Sequence, residues 1–158
     1  MKIRKATIND LEELTRIEAE CFPAAEAATE ESFRGRLEIY PDFFWILENE
    51  NGKIISFVNG MTTNDRILTD EMFKNPKLHD ENGDWQMIFG VNTLPEFRRR
   101  GYAEKVLRKV VEDAKSAGRK GVVLTCKDRL VPFYEKIGFV NEGLSESTHG
   151  GAVWYNMR

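Results

Sequence analysis

The sequence predicts an α/β domain, a mixed sheet covered by helices. Three observations predict it. Short apolar runs of strand length alternate along the 158 residues with segments of helical periodicity. The clearest of those segments, Tyr102–Ala117, sets Ala103, Val106, Leu107, Val110, Val111 and Ala114 at the i, i+3, i+4, i+7 spacing of a buried stripe. Pro41, Asn51-Gly52, Gly118 and Gly138 stand at the junctions between the runs, where a chain stops or turns.

Lys2–Ala6 reads as a first strand. Asn9 or Asp10 caps a helix with Leu11, Leu14, Ile17 and Cys21 on one side. Pro23 and the small residues Ala24–Ala28 interrupt the pattern. Thr29 caps a second helix, with Glu30 and Glu31 in its first turn, and Pro41 stops it. Phe43–Glu48, a turn at Asn51-Gly52, and Lys53–Thr62 form a hairpin. Asn64–Gly83 is irregular, with a short helix around Asp70–Lys74; it is an excursion that either covers a site or is a plain solvent-exposed insertion. Trp85–Thr93 is the fourth strand. After the Tyr102 helix, closed by Gly118, come a strand at Val122–Cys126 and a helix at Asp128–Ile137 with Pro132 near its start. Strands at Phe139–Glu146 and Ala152–Met157 complete one domain over residues 1–158. The order amounts to about seven strands and about four helices.

Composition narrows the function classes. With 23 basic and 26 acidic residues, the net charge of −3 argues against general nucleic-acid binding. No apolar run is long enough to span a membrane, and none follows the basic N-terminus as a signal peptide requires. Cys21 and Cys126 are far apart, with neither a disulfide framework nor metal-ligand spacing, so the expectation is a cytoplasmic protein without a metal.

The charge is unevenly spread. Arg98, Arg99, Arg100, Lys105, Arg108 and Lys109 face a single nearby acid, Glu104. Within this run, Arg98-Arg99-Arg100-Gly101-Tyr102-Ala103 joins a strand end to a helix start. The first N–H groups of a helix lack internal partners and carry roughly half a positive charge. Together they form an anion site, and glycine at 101 lets the backbone approach a phosphate.

Arg98-x-x-Gly101-x-Ala103 resembles the Arg/Gln-x-x-Gly-x-Gly/Ala signature of the GNAT superfamily of acyl-CoA-dependent N-acyltransferases. Val131-Pro132-Phe133-Tyr134-Glu135-Lys136-Ile137-Gly138-Phe139 resembles that superfamily's tyrosine helix. Cys126–Phe139 is similar in particular to the arylalkylamine (serotonin) N-acetyltransferase branch. The resemblance implies a GNAT-like mixed, mostly antiparallel sheet. It implies acetyl-CoA as co-substrate, with its pyrophosphate on the backbone of Arg99, Arg100, Gly101, Tyr102, Ala103 and Glu104 beside Arg98. The pantetheine arm would lie along Val91, Asn92 and Thr93, where the fourth and fifth strands splay, with Phe133 beside it. Tyr134 would stand by the thioester sulfur as the acid. The acceptor would be a small-molecule amine, and the protein a monomer or homodimer.

The chemistry agrees with such a site. Amine attack on a thioester needs two reactants held in line, a polarised carbonyl and a proton for the departing thiolate. A neutral tyrosine, with an ordinary pKa of about 10, can supply that proton. Most amines arrive as ammonium, so a base is also needed. In the serotonin branch two histidines on the fourth strand are tied to that step, and gapless extension from the glycine motif puts Met87 and Phe89 there. His79, His149, Glu26, Glu30 and Glu31 remain as candidates, with Asn92 to orient a water. Cys126 as an acyl-carrying nucleophile is set against ordinary packing in a strand. Two further readings stay open: a non-catalytic acyl-CoA-binding or sensing domain, and a different phosphate binder. The sequence lacks both common nucleotide-binding glycine motifs that the latter would need.

Overall fold

The structure is a computed structural model covering residues 1–158. In chain order its elements are β1 (Lys2–Lys5), α1 (Leu11–Cys21), α2 (Glu30–Ile39), β2 (Phe44–Glu48), β3 (Ile54–Asn59), β4 (Thr62–Thr63), α3 (Asp70–Lys74), β5 (Trp85–Ile88), β6 (Gly90–Thr93), α4 (Tyr102–Ser116), β7 (Gly121–Cys126), α5 (Val131–Ile137), β8 (Asn141–Leu144) and β9 (Tyr155–Met157). One sheet has the order β1-β2-β3-β6, the other β4-β5-β7-β9-β8. Every pairing is antiparallel except β5 with β7. The expected mixed, mostly antiparallel architecture is present. It has nine strands and five α-helices because two predicted strands are each broken once and the short helix in the excursion is a full element.

Both breaks come from one irregularity. Gly60 interrupts the Lys53–Thr62 run, and a Cβ there would come within 1.9 Å of the Met87 carbonyl oxygen, so no other residue fits. Opposite it, Phe89 interrupts Trp85–Thr93. Asn59 pairs with Gly90 and Thr62 with Gln86, so three steps on one strand face four on the other. That extra residue is a β-bulge, which bends its strand and sharpens the local twist. Beyond it, β5 stays paired to β7, from Trp85–Gly121 to Ile88–Leu124, whereas β6 pairs only with β3. A gap therefore opens between β6 and the C-terminal end of β7.

Helix α4 packs on β2, β3, β6 and β7 through Val106, Leu107, Val110 and Ala114. Val111, expected in that stripe, is exposed at its edge. Helix α1 packs on α2 and β6. Burying β3 at every position requires cover on both faces of the sheet. At its start, α1 follows a short turn in which the Thr7 hydroxyl accepts from Asn9 N–H and the Asp10 carboxylate accepts from Thr7 N–H at 2.9 Å. Thr29 caps α2 by accepting from Ser32 N–H. The predicted Asp128–Ile137 helix is a short 3₁₀ turn followed by α5, with Pro132 in the first turn of α5.

Candidate active site

Gly101 caps α4 with φ at +81°, a left-handed conformation that costs a glycine little. Arg99, two residues earlier, has φ at +65° and is the one non-glycine residue in that region. Such strain persists only where surroundings enforce it, and it gathers at ligand sites. The first bond of the helical ladder here runs from Lys105 N–H to Gly101 O at 3.0 Å. The N–H groups of Tyr102, Ala103 and Glu104 precede it and are free for an anion. The Glu104 side chain is turned aside by Arg108 at 2.9 Å and Lys136 at 3.3 Å, and these two cations hold its carboxyl below the usual range. Arg98 lies flat along the strand end, its Nε donating to Thr93 O at 3.1 Å.

A groove runs from this turn, past Arg98, Val91 and Phe133, to Tyr134, with a volume of ≈ 580 Å³. The strand edge facing it is selective. Leu94 N–H donates to Ile55 O at 2.9 Å, so by the alternation of an antiparallel ladder Asn92 and Phe57 exchange backbone hydrogen bonds. The backbone groups of Val91 and Thr93 thus point into the gap, while those of Asn92 point to β3. Asn92 differs here from its expected place on the arm's edge: its backbone belongs to the ladder and its side chain is fully buried beside Glu18. Thr93 O already accepts from Arg98 and from the Cys21 thiol at 3.3 Å.

Tyr134 lies where this groove meets a narrower cavity of ≈ 80 Å³ between β6 and β7. Its ring packs edge-on against Phe133 and Phe139. Burial first, and Cys126 second, push its pKa above the ordinary phenol value, so it is a neutral proton donor. Cys126 also lines the narrow cavity, but burial and then Asp128 push its thiol up to about 11. A thiol so protonated is a poor nucleophile.

The remaining candidates separate cleanly. His79 is held in the core, its Nδ1 accepting from Thr62 N–H at 3.1 Å and its ring against Tyr40 and Phe43. Burial lowers its pKa, and it lines none of these cavities. His149 does line the narrow cavity; its ring stacks on Phe73, and Nε2 lies 2.8 Å from Glu26 O. A carbonyl only accepts, so Nε2 carries the proton. Glu26 lines the cavity but pairs with Lys127 at 2.7 Å. Glu30 pairs with Arg34, and Glu31 is exposed. Met87 is fully buried, and Phe89 packs on Phe73 in the cavity wall. Phe73 comes from α3, so the Asn64–Gly83 excursion contributes to the site.

Two functional candidates are missing from the sequence reading, Glu18 on α1 and Arg36 on α2. Their residues are 5% and 3% exposed. Glu18 Oε2 accepts from Ala28 N–H at 2.9 Å, while Oε1 is buried without a partner. Arg36 donates to Asn59 Oδ1 at 2.8 Å and to Phe73 O at 3.0 Å. The signal was present. Glu18 completes the stripe Leu11, Leu14, Glu18, Cys21, and Arg36 completes Phe33, Arg36, Leu37, Tyr40. A charge on the apolar stripe of a helix is an anomaly that demands a partner or a task.

Residues 11–139 match the model of the acetyltransferase (GNAT) family. The chain belongs to that family. Among curated GNAT relatives, it is 28% identical to serotonin N-acetyltransferase of Mesocricetus auratus over 110 residues, 69% of this chain and 52% of that protein. It thus spans about half the length of that relative. Among solved structures, the loading GNATL domain of CurA from Lyngbya majuscula superposes with a TM-score of 0.82 at 21% identity, over 98% of this chain and 96% of that one. A GNAT-like decarboxylase, GphF, in complex with isobutyryl-CoA, gives 0.80 at 20% identity, over 99% and 97%. These structural likenesses establish the GNAT fold. No helix is long and apolar enough to cross a membrane.

Proposed function

We propose that this GNAT chain transfers an acetyl group from acetyl-CoA to a primary amine on a small molecule, by direct attack in a ternary complex. The observation that carries the reading is the continuous groove from a free-amide anion site, along an unpaired strand edge, to a buried protonated tyrosine. The diphosphate fits the amides of Arg99–Glu104 with the guanidinium groups of Arg98 and Arg100 nearby. The amide arm fits the Val91 and Thr93 edge as an added strand, with Phe133 against it. The naming of a serotonin N-acetyltransferase as a relative and an isobutyryl-CoA complex among similar structures supports both substrate classes.

The residues then divide the work. The Val91 backbone N–H, on the edge that faces the gap just beyond the bulge, is offered to the carbonyl oxygen as it gains charge. Tyr134 gives its proton to the departing thiolate. The chamber of ≈ 80 Å³ suits a short acyl group. Its walls of Phe22, Phe73, Phe89 and Trp154 suit a small amine with an apolar or aromatic body. Cys126 stays a thiol, in keeping with direct transfer rather than an acyl-cysteine.

The test is CoA release from acetyl-CoA across a library of primary amines, beside a melting-temperature screen with acetyl-CoA, ATP and NAD. A ligand that binds only the folded state raises the melting temperature. Acetyl-CoA should stabilise the protein, and at least one cationic amine should be acetylated. Stabilisation by acetyl-CoA without turnover on any amine would identify a binding or sensing domain. Stabilisation by ATP or NAD alone would overturn the reading.

A further inference from the structure

The acetyl-transfer reading leaves the amine's proton without a destination, and the structure holds an unused group where one is needed. The position of a Cβ on Gly90 lies 3.6 Å from Glu18 Oε1, 3.3 Å from Asn92 Nδ2 and 3.7 Å from Asn59 Nδ2. All three atoms are buried and have no hydrogen-bond partner. They come from three elements, α1, β3 and β6, and converge beside the bulge on the wall of the narrow cavity, which both Glu18 and Gly90 line.

Their chemistry specifies what sits among them. Arg36 Nη1 occupies Asn59 Oδ1 at 2.8 Å, so Asn59 presents Nδ2, a donor. Ala28 N–H occupies Glu18 Oε2, so Glu18 presents Oε1, an acceptor. The occupant must accept from Asn59 and donate to Glu18. An ammonium has no lone pair and fails the first requirement, whereas a water satisfies both, with the Asn92 amide as third partner. Three partners is the usual number for a buried water. The Asn92 side chain lies close enough to Glu18 to pull the pKa of its carboxyl down.

Resting on that reading, we propose that a water over Gly90, held by Glu18, Asn59 and Asn92, carries the acceptor's proton to the Glu18 carboxylate. The ammonium gives one proton to the water, which passes one of its own to Oε1. The neutral nitrogen forms the C–N bond and the C–S bond breaks. Tyr134 protonates the thiolate and regains a proton from the nitrogen. Glu18 later releases its proton to solvent. The groups facing Glu18 are Arg36 on α2, His149 in the turn before β9, Cys21 on α1 and Glu26 in the loop after it. Burial raises the Glu18 pKa, while Ala28 N–H and Arg36 pull it back. A carboxyl above its ordinary range is a better base than a free one.

The experiment compares wild type, Glu18→Gln and Gly90→Ala on two isosteric probes, phenethylamine and O-benzylhydroxylamine. At neutral pH the first arrives protonated and the second does not. Glu18→Gln should lower kcat/KM for phenethylamine by about 10²- to 10⁴-fold. It should abolish the rising limb of the pH profile and leave O-benzylhydroxylamine and acetyl-CoA affinity at wild-type values. Gly90→Ala, whose Cβ takes the water's place, should show the same selective loss. A high-resolution crystal structure of the wild type should show density within hydrogen-bond reach of Glu18 Oε1 and Asn59 Nδ2, absent from Gly90→Ala. Equal loss on both probes, no loss on phenethylamine, or no density would overturn the proposal. If the wild type binds acetyl-CoA and acetylates neither probe, the acetyl-transfer reading fails on these amines, and the crystal density decides the water site on its own.

Discussion

The two ends of the groove are built by opposite means. The end at Gly101 is made of backbone: free helix amides, a left-handed turn and an unpaired strand edge, contributed by one stretch from Val91 to Glu104. The end at Glu18 is made of buried side chains that meet from α1, α2, β3, β6 and the His149 turn. Under the proposed function, the first would recognise what every acyl-CoA shares, a diphosphate and an amide arm. The second would face the variable reactant, and its chemistry is carried by side chains rather than by backbone.

Substitutions at each end should therefore fail differently. The largest effect is expected at Arg36. Arg36→Met removes the countercharge of a buried carboxylate and two hydrogen bonds, at a cost of about 3–5 kcal/mol. Urea denaturation should register this as a lower midpoint, and an unchanged midpoint would break the claim that the cluster is one buried unit. Tyr134→Phe should lower kcat by about 10²-fold or more while leaving acetyl-CoA affinity intact. Because burial raises the phenol pKa, the wild-type rate should not fall through tyrosine ionisation up to about pH 10. Turnover unaltered by the substitution would remove the acid from the scheme. Gly101→Val should do the reverse, raising KM for acetyl-CoA about tenfold with little change in kcat, since a β-branched residue at φ of +81° costs about 1–2 kcal/mol. If kcat falls instead, the backbone end takes part in the chemistry.

The smallest effect lies outside both ends and serves as a control. Asp10 is held below its ordinary pKa: burial pushes upward, but the Arg4 guanidinium and Thr7 N–H outweigh it. A depressed carboxyl stabilises the fold above its unfolded pKa, and the gain is lost as the pH falls through the folded value. Asp10→Asn should cost about 1 kcal/mol at neutral pH and progressively less below about pH 4, read from melting temperatures, with acetyl transfer unaltered.

The same contrast explains what the sequence disclosed. The Gly101 turn, the α4 stripe and the tyrosine helix are local patterns, and each signal lies within a few turns of chain. Glu18 and Arg36 stand on equally readable helical stripes, but the meaning of a charge there depends on Asn59 and Ala28, which only folding brings near. The strand break at Phe89 was hidden for a related reason. Trp85–Thr93 is continuously strand-like, and its extra residue exists only relative to the pairing with β3. The backbone reassignment of Asn92 follows from that same pairing.

That extra residue also works as a counting device. Met87 N–H donates to Met61 O, and Phe89 N–H to Asn59 O. Were the ladder to continue in that register, Val91 and Thr93 would be the residues bonded to β3, and Asn92 would face the gap. One additional residue exchanges their parity and turns Val91 and Thr93 to the gap, where the proposed substrate arm would pair. Deleting a single residue between Gln86 and Gly90 would alter no proposed catalytic side chain, yet it would turn the docking edge inward. The opening proposed to admit the substrate arm is thus encoded as an odd number in the chain and in no particular side chain.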